Sequence, residues 1–287
     1  MNLRLAHRLR QRSGQSSAAR WLRLGFACLA LGLVGSAHAD CGTPSVATLV
    51  VGVDERLNIV LQDGRLVRLA GLDTLDSKGG GAKTAEARQF LADRVVGREV
   101  ELRLLSSGLD RWGRLLADLS VPETDGGGGG SVAVALLSAG FARVRPEFEA
   151  RNCAAARLAV EDSARLAGLG LWNEPEYAVI HASDGVALRE REGEFVVIEG
   201  RVRRVGFGRS RLYLNLAPRD GPTIVIPRKL EPVFARTGIS VEGLAGKTIR
   251  ARGALDVRIG PRIEVSEPAM IEIVRPVVTP GAEKPRQ

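Results

Sequence analysis

Residues 46–72 alternate apolar and polar side chains with the period of two that marks half-buried strands. Three runs, "VATLVVGV", "RLNIVLQ" and "RLVRLAGL", are separated by Asp54-Glu55 and by the turn pair Asp63-Gly64, so they read as three successive strands. "TAEARQFLADRVV" then switches to helical spacing, with Thr84 as the expected N-cap and Gly97 ending the helix. "REVELRLL" and "RLLADLSV" alternate again and are joined by "SSGLDRWG", a polar hairpin loop. After "PETDGGGGG", a loop of no evident chemistry, "SVAVALLSAG" reads as a short apolar helix closed by Gly140. "EARNCAAARLAVEDSARLAGLGLW" reads as a longer amphipathic helix, stopped by Gly168 and Gly170 and docked by Trp172.

Residues 175–190 read as a linker. From residue 194 the pattern turns strand-rich again: "EFVVIEGRVRRVG", "RSRLYLNLA", "PTIVIP", "KTIRARGALDV", "PRIEVS" and "AMIEIV", with one helix, "RKLEPVFARTG", in the middle. Five or six strands around one inserted helix fit a small β-barrel of the OB type. The expected fold class is therefore mainly β with α: strands with packed helices over 45–174, then an OB-like barrel over 191–275. The Pro-rich, charged tail 276–287 reads as disordered.

Charge separates these units. The formal net charge of +8 suggests an anionic partner, but six of the basic residues lie in 1–39 with no acidic one. That segment joins an arginine-rich start to "LGFACLALGLVG" and the small-x-small "SAHA", the form of a secretory signal peptide with Asp40 as mature N-terminus. The alternative is an N-terminal membrane anchor, but the apolar run is short for a bilayer. The expectation is an exported protein, periplasmic or secreted, with no stable membrane anchor once the signal is cleaved. Residues 40–184 then hold 16 basic and 21 acidic side chains, and residues 185–287 hold 19 and 12, an asymmetry that assigns the halves different electrostatic roles.

Of three cysteines, Cys28 lies in the signal segment, leaving Cys41 and Cys153. In an exported chain two thiols most simply pair; the alternative is two free buried thiols. The three histidines form no cluster, so no zinc site is expected.

"RLAGLDTLD", residues 68–76, brings one arginine and two carboxylates to the end of a strand. Phosphodiester hydrolysis needs cations or arginines on the phosphoryl oxygens, a carboxylate for the attacking water, and hard oxygen ligands where a Ca²⁺ or Mg²⁺ takes part. Arg68, Asp73, Thr74 and Asp76 offer candidates for each, and "DRWGR" brings Arg114 on a hairpin.

Four segments in order, "VRLAGLDTLD", "EARQFLADRVVGREVEL", "DRWGRLLADL" and "LLSAGFARV…AR…GLGLW", make residues 45–174 resemble a thermonuclease, or staphylococcal nuclease-like, domain. The resemblance implies an OB-type barrel that hydrolyses DNA or RNA with Ca²⁺. It places the catalytic arginines at Arg68 and Arg114, the catalytic carboxylate at Asp76, and calcium ligands at Asp73 and Thr74. It places nucleotide contacts at Arg111 and Trp112, although Trp112 on a hairpin could equally be a packing residue. Two positions depart from the family pattern. The metal-binding Asp falls on Leu57, within Glu55-Arg56-Leu57-Asn58, and the catalytic Glu is Asp76, shorter by one methylene. Glu55, two residues from Leu57 on a strand, would share its face and supply a carboxylate, and a one-residue slip would bring in Asp54 instead.

In the second half, "RVRRVGFGRSRLYLNL" concentrates arginines on one hairpin, with Arg201, Arg203 and Arg204 as candidate phosphate-backbone contacts. The bland alternative is a solvated basic face. Two functions follow: a Ca²⁺-dependent exported nuclease, weakened by an incomplete metal site, or a catalytically degenerate nuclease fold acting as a nucleic-acid-binding or scaffold module.

Overall fold

A computed structural model describes residue 41 and residues 45–74, 81–123, 129–218 and 221–274. The expected signal peptide 1–39, the carboxylate Asp76, most of the glycine-rich loop and the tail 276–287 lie outside the described residues.

The alternating runs of the first half close on themselves. Strand β1 (Val46–Val53) pairs antiparallel with β2 (Ile59–Leu61) and with β5 (Glu99–Leu109). β2 pairs with β3 (Leu66–Leu69), and β5 with β6 (Arg114–Val121). A parallel pairing of β3 with β6 shuts the five-stranded barrel, an OB-like ring. β5 runs on through "SSGL", so the hairpin turn shrinks to residues 110–113.

After β3, Gly71 takes φ +72°, and an added Cβ would lie 2.9 Å from the Ala150 Cβ, so the turn requires glycine. The turn starts β4 (Leu72–Thr74), which pairs with β8 (Ala142–Val144) and sets Asp73 directly opposite Arg143. Helix α1 (Ala82–Val95) follows Gly81, with no side-chain cap; Thr84 is buried inside its first turn, so it is not the N-cap. β7 (Gly130–Ser131) leads into α2 (Val132–Ser138), where the Ser131 hydroxyl accepts from the Val134 N–H, and α3 (Arg151–Leu166) completes the layer. Ile59, Leu61, Leu91, Leu119 and Leu136 lie in the shared core. Each such side chain contributes about 1.5–3 kcal/mol on full burial.

Residues 175–190 are not a loose linker. A 3₁₀ turn (Pro175–Tyr177) buries Tyr177 in the first core. β9 (Ile180–His181) and α4 (Gly185–Glu190) then bury Ile180 and Leu188 in the second. The apolar side chains here are too few for a periodic signal, yet Tyr177, Ile180, Ala182 and Leu188 each reach a core.

The second ring repeats the first. β10 (Phe195–Arg201) pairs with β9 and with β14 (Thr248–Asp256), and two residues later β11 (Arg204–Phe207) pairs with β12 (Arg211–Asn215). β12 pairs with β13 (Thr223–Pro227), β13 runs parallel to β15 (Arg262–Glu264), and β15 returns to β14. Chain continuity from β10 into β11 completes the circuit. α5 (Glu231–Arg236) is the inserted helix, and β16 (Ile271–Ile273) adds to β14.

A buried ionic seam joins the barrels. Arg252 of β14 donates to Glu161 of α3 at 2.8 and 3.0 Å and to the Val144 carbonyl at 3.0 Å, and pairs with Glu272. Glu161 also accepts from the Val144 N–H. Burial raises the Glu161 carboxyl above its usual range, and the opposing charge of Arg252 only partly offsets this. Elsewhere, Cys41 and Cys153 form a disulfide that ties the start of the described chain to α3. Next to it Arg157 donates to Asp118 at 2.7 Å, both residues being buried.

Candidate active site

The parallel register of β3 and β6 builds the site. Leu66 lies opposite Arg114, and side chains two apart on a strand share a face. Arg68 and Arg114 therefore project from the same side of the barrel as diagonal neighbours. They line a cleft of about 790 Å³ together with Glu55, Leu57, Asp73, Thr74, Trp112, Arg145 and Glu147.

Each of the two arginines is held. Arg68 Nη1 and Nη2 donate to Glu147 Oε1 and Oε2, both at 2.9 Å, in the planar fork that guanidinium also offers to phosphate. Burial alone would depress Arg68, but this bond and the Glu147 charge raise it. Arg114 Nε donates to Asp110 Oδ2 at 2.9 Å, and its Nη1 donates to Asn58 Oδ1 at 3.0 Å. Asp110 also accepts the N–H groups of Trp112 and Arg114, closing the hairpin around Gly113 at φ +76°. Partial burial pushes Asp110 up, but these hydrogen bonds outweigh it and hold the carboxyl below its usual range. Trp112 is 57% exposed, with the Arg111 and Arg114 guanidiniums 3.9 and 4.9 Å from its ring centroid.

Asp73 is buried and paired. Arg143 donates to its Oδ2 from Nη2 at 2.6 Å and from Nε at 3.1 Å, and also to the Phe195 carbonyl of the second barrel at 2.8 Å. Arg145 Nη1 lies 3.9 Å from Asp73 Oδ1.

The strand argument for Glu55 does not hold. β1 ends at Val53, and residues 54–57 form a turn rather than an extended run. Glu55 lines the cleft from that turn, exposed. Asp54 is occupied as the turn's own cap: it accepts from the Arg56 and Asn58 N–H groups at 2.9 and 2.8 Å and from Asn58 Nδ2 at 2.8 Å. Leu57 sits at φ +60°, a left-handed conformation that costs a non-glycine residue roughly 1–2 kcal/mol. Its side chain is 4% exposed and packs into the core, so it both pins the turn and fills the position expected for a metal carboxylate.

Ca²⁺ takes six to eight oxygen ligands. Among the described residues no three His, Cys, Asp or Glu side chains converge on one point, and Asp73 gives one oxygen wholly to Arg143. This donor set does not fit a calcium cage.

A family model for the staphylococcal nuclease homologue matches residues 66–174, the span from β3 to the 3₁₀ turn after α3. Those residues form a staphylococcal nuclease homologue domain. No curated protein matches the chain.

The domain carries Arg68, Asp73, Thr74, Arg114, Arg143, Arg145 and Glu147, while β1, β2, Glu55 and Leu57 precede the matched span. Its family consists typically of nucleases, generally Ca²⁺-dependent. Arg201, Arg203 and Arg204 lie outside both the nuclease domain and its cleft, exposed at the β10–β11 bend, with Arg201 donating to the Gly246 carbonyl at 3.0 Å. Sequence reasoning missed Arg143, Arg145, Glu147 and Asn58. The first three occur as "RVRPE", every second residue leading out of β8, and that alternation was the available signal.

Proposed function

We propose that this protein is an exported nuclease that binds and hydrolyses nucleic-acid phosphodiesters in the cleft of its staphylococcal nuclease homologue domain. One observation carries the reading: inside that domain, strand register sets Arg68 and Arg114 side by side on the wall of one cleft. A phosphodiester entering the cleft exchanges with Glu147 on Arg68 and with Asn58 on Arg114. The two guanidiniums then face the oxygens on which charge grows as the attacking oxygen adds, where fixed donors act most strongly. Trp112 offers its exposed ring to a base. Asp76, outside the described residues, is the carboxylate that this reading assigns to the attacking water. No step is assigned to calcium, because the described donor set does not hold it.

Export is part of the proposal. The signal-like segment 1–39 supports it, as does the Cys41–Cys153 disulfide, a bond that persists in oxidising compartments. Fractionation of cells that express the full chain tests it: recovery of the protein in the cytosol with free thiols would refute export.

A second reading, a nucleic-acid-binding module without hydrolysis, is favoured by Leu57 in the ligand position and by Asp73 held on Arg143. Incubating the purified protein with single- and double-stranded DNA and RNA, in Ca²⁺ and in chelator, separates the two. Cleavage that Arg68→Ala removes supports the nuclease; retention of oligonucleotide without cleavage under either condition supports the module.

A further inference from the structure

Resting on the reading of the cleft as a phosphodiester site, we propose that Arg68 and Arg145 form a metal-independent phosphate subsite whose position is marked by the Glu147 carboxylate. Glu147 is an anion already within reach of two guanidiniums. Both of its oxygens accept from Arg68 at 2.9 Å, and Arg145 Nε stands 4.0 Å from Oε1. A phosphate oxygen pair matches the same fork geometry as a carboxylate.

Arg145 differs from the other two cleft arginines described above. Its side chain is 50% exposed, and among the described residues its guanidinium makes no hydrogen bond. It has two long ionic contacts, to Asp73 Oδ1 and Glu147 Oε1, and it lies 5.5 Å over the Phe195 ring. Its donors are therefore uncommitted, in a planar arrangement suited to two oxygens. The strand sets this up: the Arg145 N–H donates to the Gly71 carbonyl at 2.9 Å, continuing the β4–β8 pairing, so Arg145 follows Arg143 onto the side that faces Asp73.

The neighbouring chemistry explains the substitution. Where a cation would need carboxylates, Leu57 offers methyl groups, and the Asp73 charge is already compensated by Arg143. A divalent ion brought there would find Asp73 Oδ2 already taken by two Arg143 donors and Oδ1 facing the Arg145 guanidinium at 3.9 Å. Positive charge beside Asp73 is supplied instead by Arg143 and Arg145, and Arg145 has donors left for the substrate.

The test is equilibrium binding of a short, nuclease-resistant phosphorothioate single strand, in millimolar Ca²⁺ and in chelator. The parent is expected to bind with a Kd that differs by less than about twofold between the two conditions. Arg145→Gln is expected to weaken binding about tenfold in both, the scale of one charge-assisted contact, with Arg145→Lys recovering part of the loss. Glu147→Gln is expected to tighten binding, because the competing anion loses its charge. A substitution that acted only through folding would not tighten binding, and thermal melts of each variant keep the two effects apart. Binding that needs Ca²⁺, or Arg145→Gln binding as tightly as the parent, overturns this proposal. If Arg68→Ala still abolishes binding in that case, the cleft reading stands without it. No binding under either condition overturns both.

Discussion

The two barrels share a ring and differ in one decisive pair of positions. In each, one pairing is parallel: β3 with β6, where Leu66 faces Arg114, and β13 with β15, where Thr223 faces Arg262. In each, an aspartate at the start of the preceding hairpin clamps that arginine. Asp110 accepts from Arg114 at 2.9 Å, and Asp256 accepts from Arg262 at 2.6 and 3.1 Å. Two residues further along β3 and β13 the barrels part. The first has Arg68, and the second has Val225. An aspartate–arginine clamp at this hairpin is thus a feature of the fold as much as of chemistry. What sets the first cleft apart is the second arginine and the wall formed by β4 and the segment leading out of β8, with Asp73, Arg145 and Glu147. The second barrel instead exposes Arg201, Arg203 and Arg204 on an open surface, with Phe207 and Tyr213 also exposed.

The largest effect is expected where the barrels meet. Glu161→Ala leaves Arg252 buried without its main partner and should cost about 3–5 kcal/mol, read by chemical denaturation. Separate unfolding of two domains, with the second unaffected, would show that the seam does not couple them. Next, Arg68→Ala should lower hydrolysis of single-stranded DNA about 10²–10³-fold with stability nearly unchanged, since its side chain is only part-buried. Joint replacement of Arg201, Arg203 and Arg204 by alanine should leave the cleavage chemistry intact and weaken binding. The slope of log K against log salt should fall by about two if all three meet phosphates, and an unchanged slope would make them a solvated face.

The smallest effect concerns acid. Asp110 and Asp256 both titrate below the ordinary carboxylate range, held there by their arginines and by backbone N–H groups. Their contribution is therefore complete above the unfolded pKa near 3.9 and is lost as pH falls through the lower folded values. Asp110→Asn and Asp256→Asn should each flatten the fall in melting temperature below about pH 4. A steeper fall in either variant would contradict the clamp.

Much of this architecture is readable from local pattern. Alternation in "VATLVVGV" and "RLLADLSV" places β1 and β6, and Gly71, Gly113 and Gly140 mark turns at positive φ. Arg68, Asp73, Thr74, Arg114 and Trp112 line one cleft. What local pattern cannot show is who holds whom. Glu147 is 79 residues from Arg68, and Arg143 is 70 from Asp73, so each pairing exists only once the barrel has closed. Glu55 shows the converse failure. Strand alternation would set Glu55 and Leu57 on one face, but β1 ends at Val53 and residues 54–57 form a turn that Asp54 caps and a left-handed Leu57 fixes. Residues 175–190 failed for want of length: short apolar fragments bury themselves only because two cores stand on either side.

The twin arginines at the two β-hairpins test the account most directly. Cleavage of single-stranded DNA should be measured for the parent, for Arg114→Ala and for Arg262→Ala under identical conditions. The account predicts cleavage by the parent, a loss of about 10²-fold or more in Arg114→Ala, and a rate within about twofold of the parent in Arg262→Ala. An uncleaved substrate with the parent, or equal rates in the parent and Arg114→Ala, would contradict it.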